Sequence, residues 1–362
     1  MRSLWSDAKY DASEYGTKVL QSILGIEGAA AFSYPKSIFT VKEALQAQFN
    51  NSISGEVLDY FAGSGTTGHA VISLNREDGG SRKYVLVEMG AYFDTVLKPR
   101  IEKVIYSESW KEGKPTARQS GVSQCVKYMR LESYEDTLNN LRFEENVQRK
   151  RLLEENDRLR EDYVLRYMLD VETKGSQSLL NIDAFARPDT YSMEIKKPGS
   201  DSSSVVNIDL IETFNYLIGL RVEHYAAPQS FNAEFKRVED PELPEDQNTR
   251  LVLDGRLRQE AGGDWTFRKV EGWVPANPYA PANSEKERVL IVWRNLTGDL
   301  EKDNLMLDEW FKKNRINTHD SEFNTIYVNG SNNLSNLKQD GENWKVRLIE
   351  EEFMKRMWNS AD

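Results

Sequence analysis

Apolar and polar positions alternate along the chain in two rhythms. Ser13 and Glu14 precede apolar residues at Val19, Leu20, Ile23 and Leu24, and Gly25 stops the pattern, which predicts a short helix. Ile38, Val41, Ala44, Leu45 and Phe49 share one side of a 3.6-residue period and predict a second helix from about Ile38 to Phe49. The rhythm then changes. Glu56-Val57-Leu58-Asp59-Tyr60-Phe61 and Lys83-Tyr84-Val85-Leu86-Val87-Glu88 are short runs bounded by turn residues, and both predict strands. A glycine-rich turn and a helical stretch from about Thr67 to Leu74 separate them. Strand, turn, helix and strand in that order make a parallel βαβ unit with a right-handed crossover.

Downstream, residues from about Leu131 to Leu169 interleave acids and bases (Glu144, Glu145, Arg149, Lys150, Asp157, Arg158), with Leu138, Leu141, Leu152 and Leu159 near heptad positions. Glu145 and Gln148 interrupt that seam, so one long solvated helix is expected rather than a coiled coil. Lys197 to Ser204 reads as a loop or hairpin tip, and Pro275 to Ser284 as a linker rich in Pro and Asn. Val289-Leu290-Ile291-Val292-Trp293, a helix from about Asp303 to Asn314, and Thr325-Ile326-Tyr327-Val328 predict a second βαβ unit. The expected organisation is 1–130, a connecting helix over 131–170, a mixed α+β region with linker over 171–284, and a C-terminal α/β domain over 285–362.

Composition narrows the function classes. The 362 residues carry 47 Lys and Arg against 58 Asp and Glu, a formal charge of −11. A domain that holds duplex DNA by itself normally has a basic excess, so any nucleic-acid surface here is local or lies on another polypeptide. One cysteine, Cys125, excludes an internal disulfide, and no Cys/His spacing suits zinc. Apolar runs fall far short of the roughly 18 residues that cross a bilayer. The first residues do not form a signal peptide, and a cytoplasmic protein is expected.

The chemistry concentrates in Asp59-Tyr60-Phe61-Ala62-Gly63-Ser64-Gly65-Thr66-Thr67-Gly68-His69. Gly63, Gly65 and Gly68 match a dinucleotide-type G-x-G-x-x-G turn, and Glu88 ends the next strand. Asp59, at the carboxyl end of its strand, would repel a pyrophosphate and attract a cation. S-adenosylmethionine carries an ammonium and a sulfonium, so it suits this turn better than a nicotinamide cofactor, with Glu88 accepting ribose hydroxyls. His69-Ala70 stand where a P-loop needs Lys-Ser/Thr. His69 itself reads as a helix-face residue rather than a catalyst.

Asp59 through Val71 resembles the S-adenosylmethionine loop of amino-group DNA methyltransferases. Phe32-Ser33-Tyr34-Pro35-Lys36-Ser37 resembles the accessory cofactor motif that precedes the loop in the β-ordered class, and Lys83 to Met89 the ribose-binding strand. Tyr92-Phe93 through Arg100-Ile101 is similar to the helix after it. With Tyr134 to Leu138, Asp209 to Tyr216 and Val289 to Arg294, the chain most closely resembles the C-terminal part of the modification subunit of type III restriction-modification systems, which methylates adenine N6. The resemblance implies a partial Rossmann-like α/β methyltransferase fold. It implies cofactor contacts at Lys36, Ser37, Asp59, Phe61, Gly63, Ser64, Gly65, Thr66 and Glu88, with Lys36 and Ser37 at the carboxylate end. Asp59 or a nearby backbone group would hold the ammonium. The implied partners are double-stranded DNA, a second modification subunit and a restriction subunit that is a helicase-nuclease.

The family's Asp-Pro-Pro-Tyr loop, which receives the flipped base, has no counterpart: of 11 prolines no two are adjacent. Asn277-Pro278-Tyr279 lacks one proline and reads as turn chemistry. No residue of this chain is therefore assigned to catalysis, and none to a metal. The expectation is a C-terminal portion of a longer enzyme whose base-reading region lies upstream. Asp189 and Glu194-Ile195-Lys196 superficially resemble a nuclease core, yet the spacing favours a surface strand. Cys125 lacks the preceding proline of a cytosine C5 nucleophile and reads as a small buried side chain. Two readings from other classes stay open: a non-catalytic assembly module that docks a restriction subunit or a second copy, and an RNA or small-molecule methyltransferase.

Overall fold

The computed structural model describes residues 5–358 except 51, 118, 144–145, 156–159, 161–162, 164–172, 174, 198–199, 242–243, 245–247 and 338–343. Its contacts divide the chain into two units, Met1–Leu131 with the short piece Lys197–Asp201, and Glu132–Lys196 with Ser202–Asp362. The acidity belongs to the second part: residues 1–131 carry 16 Lys and Arg against 14 Asp and Glu, and residues 132–362 carry 31 against 44. Among the described residues no helix is long and apolar enough to cross a membrane.

The first unit is built on a parallel βαβ crossover. Helical turns begin at Ser13 and continue into α1 (Val19–Leu24), which Gly25 ends at a φ of 82°. Helix α2 (Ile38–Phe49) starts where Ser37 accepts a bond from the Phe39 amide at 3.3 Å, and it stops at Asn50 in the left-handed region. Strand β1 (Glu56–Asp59), helix α3 (Thr66–Asp78) and strand β2 (Lys83–Leu86) follow, with β1 and β2 paired in parallel from Glu56 opposite Lys83 to Asp59 opposite Leu86. Helix α4 (Lys98–Tyr106) completes the packed side. Ile23 of α1, Ile72 of α3 and Leu97, Ile101 and Val104 around α4 form the core, with Tyr84 and Leu86 of β2 against it. Side chains alternate across a strand, so Leu58, Val85 and Val87 face the other way and are exposed.

The second unit begins with α5 (Tyr134–Asn139) and α6 (Val147–Glu154), which corrects the expected single helix over 131–170. Asn140 ends α5 because its side chain is taken by the next hairpin: Nδ2 donates to the Glu194 carbonyl at 2.7 Å and Oδ1 accepts from the Glu194 amide at 2.8 Å. Asp136, buried in α5, likewise accepts from the Lys196 amide at 2.8 Å. Glu144, Glu145, Asp157, Arg158 and Leu159 lie outside the described residues. That hairpin is β3 (Ser192–Lys196) against β4 (Ser203–Asn207), antiparallel; Ser203 and Ser204 of the expected tip belong to β4, and Pro198 and Gly199 lie outside the described residues.

Helix α7 (Leu210–Leu217) precedes β5 (Arg221–Tyr225), β6 (Gln229–Asn232), the hairpin β7 (Phe235–Glu239) with β8 (Thr249–Leu253), and β9 (Arg258–Gln259). Then come β10 (Trp265–Pro275), β11 (Lys286–Arg294), α8 (Leu300–Lys313), β12 (Thr325–Val328), β13 (Val346–Leu348) and α9 (Ile349–Trp358). Among the described residues the main sheet has seven strands in the order β9-β6-β10-β11-β12-β13, with β5 also paired to β10. β10 and β11 pair antiparallel over Phe267–Pro275, whereas β11, β12 and β13 are parallel, so the second βαβ unit forms as expected. The boundary expected at 284/285 is corrected: residues 276–284 join two paired strands of one sheet, and turn residues are what such a connection needs.

The apolar run of β11 follows from burial on both faces. Val289, Ile291 and Trp293 pack with Leu210, Ile211 and Phe214 of α7 and Phe353 of α9. Leu290 and Val292 pack with Met306, Leu307, Trp310 and Phe311 of α8. Each such fully buried side chain contributes about 1.5–3 kcal/mol before conformational entropy is charged against it. Cys125, expected buried, is exposed, in a stretch that forms neither helix nor strand.

Candidate functional site

The glycine turn connects the carboxyl end of β1 to the first turn of α3, the place in an open parallel sheet where ligands bind. Gly63 and Gly65 adopt φ values of 55° and 78°, left-handed conformations that favour glycine. Gly68 serves packing instead: a Cβ there would stand 2.7 Å from Ile101 Cδ1 and 2.9 Å from Leu86 Cδ1. The turn closes through the Gly65 amide on the Ala62 carbonyl at 2.9 Å, and the Ala62 amide reaches the Val87 carbonyl at 3.1 Å.

Two carboxylates flank this turn. Asp59, the last residue of β1, accepts from Thr67 Oγ1 at 2.6 Å and from the Phe61 amide at 3.3 Å. Glu88, two residues beyond β2, accepts from the Gly63 amide at 2.8 Å through one oxygen and from the Met89 and Gly90 amides at 2.9 Å through the other. Burial pushes the Glu88 carboxyl up, but the amides of Gly90 and Gly63, the Tyr92 hydroxyl and the Met89 amide together hold it below its usual value. A carboxylate offers about four lone-pair positions, so these four donors use its capacity. Glu88 thus fastens the turn to the end of β2, a role the sequence reading did not assign.

Three other expected contacts are turned to structural use. Ser37 is buried, donates to the Lys9 carbonyl at 2.7 Å and caps α2. Ser64 and Thr66 are buried with their hydroxyls on Arg100 Nη1, at 2.9 Å and 3.0 Å. Their side chains point into the protein because a buried guanidinium demands acceptors. Lys36 and Phe61 are exposed, and Tyr60 packs edge-on to Phe61 with ring centroids 5.2 Å apart. The accessory segment does meet the turn, through Phe32: its ring lies 3.0 Å from where a Gly63 Cβ would be and packs edge-on to Tyr92. Phe32, Tyr92 and Arg100 carried no role in the sequence reading, although all three stand inside segments it singled out. His69 is buried on α3, and burial, with the charges of Arg100 and Arg76, holds its pKa well below the usual value.

The donor set fits a ligand with hydroxyls and a cationic end: carboxylates close both strand ends, and the turn offers no lysine for a phosphate. Among the described residues no group of His, Cys, Asp and Glu forms a metal cluster. No family model matches the chain. It is 36% identical over 88 residues to the Type II methyltransferase M.KpnI of Klebsiella pneumoniae, and 44% identical over 66 residues to the StyLTI Mod subunit, a type III restriction-modification enzyme of Salmonella typhimurium. Over these short stretches the chain is similar to methyltransferases, one of them the modification subunit of a type III restriction-modification enzyme. A third relative, the EcoPI Mod subunit of Escherichia phage P1, is 33% identical over 87 residues. The three alignments cover 24%, 18% and 24% of this chain, and 20%, 10% and 12% of the relatives' own lengths.

Proposed function

We propose that the first unit is the S-adenosylmethionine-binding part of a Rossmann-like DNA methyltransferase of a type III restriction-modification system, acting on adenine N6. The observation that carries this reading is the pair of carboxylates, Asp59 and Glu88, at the carboxyl ends of adjacent parallel strands on either side of a glycine turn. The bound cofactor would supply an electrophilic methyl on sulfonium. Asp59 would attract the ammonium, and Glu88 would accept ribose hydroxyls in place of the Tyr92 hydroxyl. Gly63 and Gly65 would allow close backbone approach beside exposed Phe61, and Lys36 would face the carboxylate end. The buried hydroxyls of Ser37, Ser64 and Thr66 would act through the backbone they hold.

Base flipping and proton handling at the adenine amine need an Asp-Pro-Pro-Tyr loop, which this reading assigns to another segment or polypeptide together with the contacts to double-stranded DNA. The acidic balance of residues 132–362 favours protein over phosphate as the neighbour of the second unit. We assign that unit to assembly, with a restriction subunit or a second modification subunit, in the cytoplasm.

Calorimetric titration of S-adenosylmethionine into the purified chain tests the reading. Saturable binding, displaced by S-adenosylhomocysteine and indifferent to NAD, is expected; absence of binding overturns the cofactor assignment. Addition of a polypeptide bearing the Asp-Pro-Pro-Tyr loop should then restore tritium transfer from the methyl donor to adenine in DNA, and cofactor binding without any transfer overturns the split-enzyme part.

A further inference from the structure

Arg100, on α4, is fully buried, yet among the described residues its hydrogen bonds reach no carboxylate. A guanidinium taken out of water is normally paired with an acid. Here Nη1 donates to the Ser64 carbonyl at 3.2 Å, to Ser64 Oγ at 2.9 Å and to Thr66 Oγ1 at 3.0 Å, while Nη2 lies 3.2 Å from His69 Nδ1. Arginine only donates, so Nδ1 accepts and the imidazole is neutral with its proton on Nε2. Among the described residues Nε has no partner, and the bonds of this buried cation end on the glycine turn or on the first turns of α3.

Such ties are needed where glycines hold left-handed conformations, since glycine leaves them as readily as it enters them. Glu88 fastens the turn at Gly63, and Arg100 fastens Ser64 and Thr66 on either side of Gly65. We infer that Arg100 is a positioning residue of the glycine turn, setting the backbone of residues 63–66 for ligand from the buried side without touching the ligand itself. The ordering of the turn stands on the contacts alone; the consequence for ligand rests on the cofactor reading above.

Hydrogen exchange of the turn amides and calorimetric titration of S-adenosylmethionine, both on the full chain, separate positioning from mere packing. Arg100→Met is expected to speed exchange of the Gly63 to Thr66 amides by about tenfold relative to the amides of β1 and β2, and to weaken cofactor binding by about tenfold. Arg100→Lys, with fewer donors, should recover part of both, and Ser64→Ala should shift both in the same direction by less. Unchanged exchange at the turn in Arg100→Met overturns the inference. So does a lowered melting temperature with affinity of the folded chain within about twofold of wild type. Should Arg100→Met not fold, Ser64→Ala reads the same contact, and unchanged turn exchange in that variant overturns the inference equally. If the wild-type chain binds no cofactor, the functional reading fails by itself, and the exchange measurement still decides whether Arg100 orders the turn.

Discussion

Glu88→Gln is the sharpest perturbation of the site, because it keeps volume and reach while removing one acceptor. In the wild-type chain the two oxygens accept three backbone amides at 2.8 Å, 2.9 Å and 2.9 Å. The favourable orientation of the glutamine keeps its oxygen on Met89 and Gly90 and turns its NH2 toward the Gly63 amide, donor against donor. Leaving that amide unpaired costs about 1–3 kcal/mol, and losing charge assistance at the two retained bonds costs about 1 kcal/mol more. A loss of about 2–4 kcal/mol in a unit of this size lowers its melting temperature by roughly 6–12 °C. Thermal unfolding of the full chain, followed by circular dichroism, measures the shift, and titration of S-adenosylmethionine at a temperature where the variant is folded measures the ligand role. A shift under about 2 °C refutes the energetic argument. A large shift with unaltered affinity shows that Glu88 only fastens the turn.

The same carboxylate predicts a pH dependence. Its folded pKa lies below the ordinary value of 4.5, so its stabilisation is complete above that value and is lost as pH falls through the folded one; melts of wild type and Glu88→Gln should converge on acidification, and parallel curves would contradict this. Tyr92→Phe removes the hydroxyl that occupies Glu88, and S-adenosylmethionine should bind about fivefold tighter, the equivalent of about 1 kcal/mol; weaker binding would show that the hydroxyl assists the ligand. Gly65→Ala forces a left-handed alanine with its Cβ 3.2 Å from Leu97 Cγ, which should cost about 1–2 kcal/mol in chemical denaturation. Phe214→Ala empties a position packed on Trp293, Tyr327 and Phe353 and should destabilise the second unit by about 3–5 kcal/mol, a loss under about 1 kcal/mol being incompatible with that packing.

Period and sterics made several features legible from the residues alone. Helix α2 spans the residues its apolar spacing predicts, because a capping serine and a one-sided stripe act within single turns of chain. The two parallel βαβ units follow from the alternation of short apolar runs with helical patterns, and the left-handed φ values at Gly63 and Gly65 are what glycines between a strand and a helix supply. The methyltransferase resemblance also came from the residues alone, and similarity to three methyltransferase relatives over 18–24% of the chain agrees with it. Partners distant in the chain decided the rest. α5 ends at Asn140 because of β3, 54 residues on, which no local helix propensity reveals. Residues 276–284 look like any Pro-rich linker until β10 and β11 are seen to pair across them. Ser64 and Thr66 carry hydroxyls suited to a ligand, and only the arrival of Arg100, 36 and 34 residues later, turns them inward. Sequence determined the conformation of segments with local preferences, such as α2 and the glycine turn; tertiary structure decided where α5 ends and what each polar group is for, since a buried donor takes whichever acceptor the fold brings within about 3 Å.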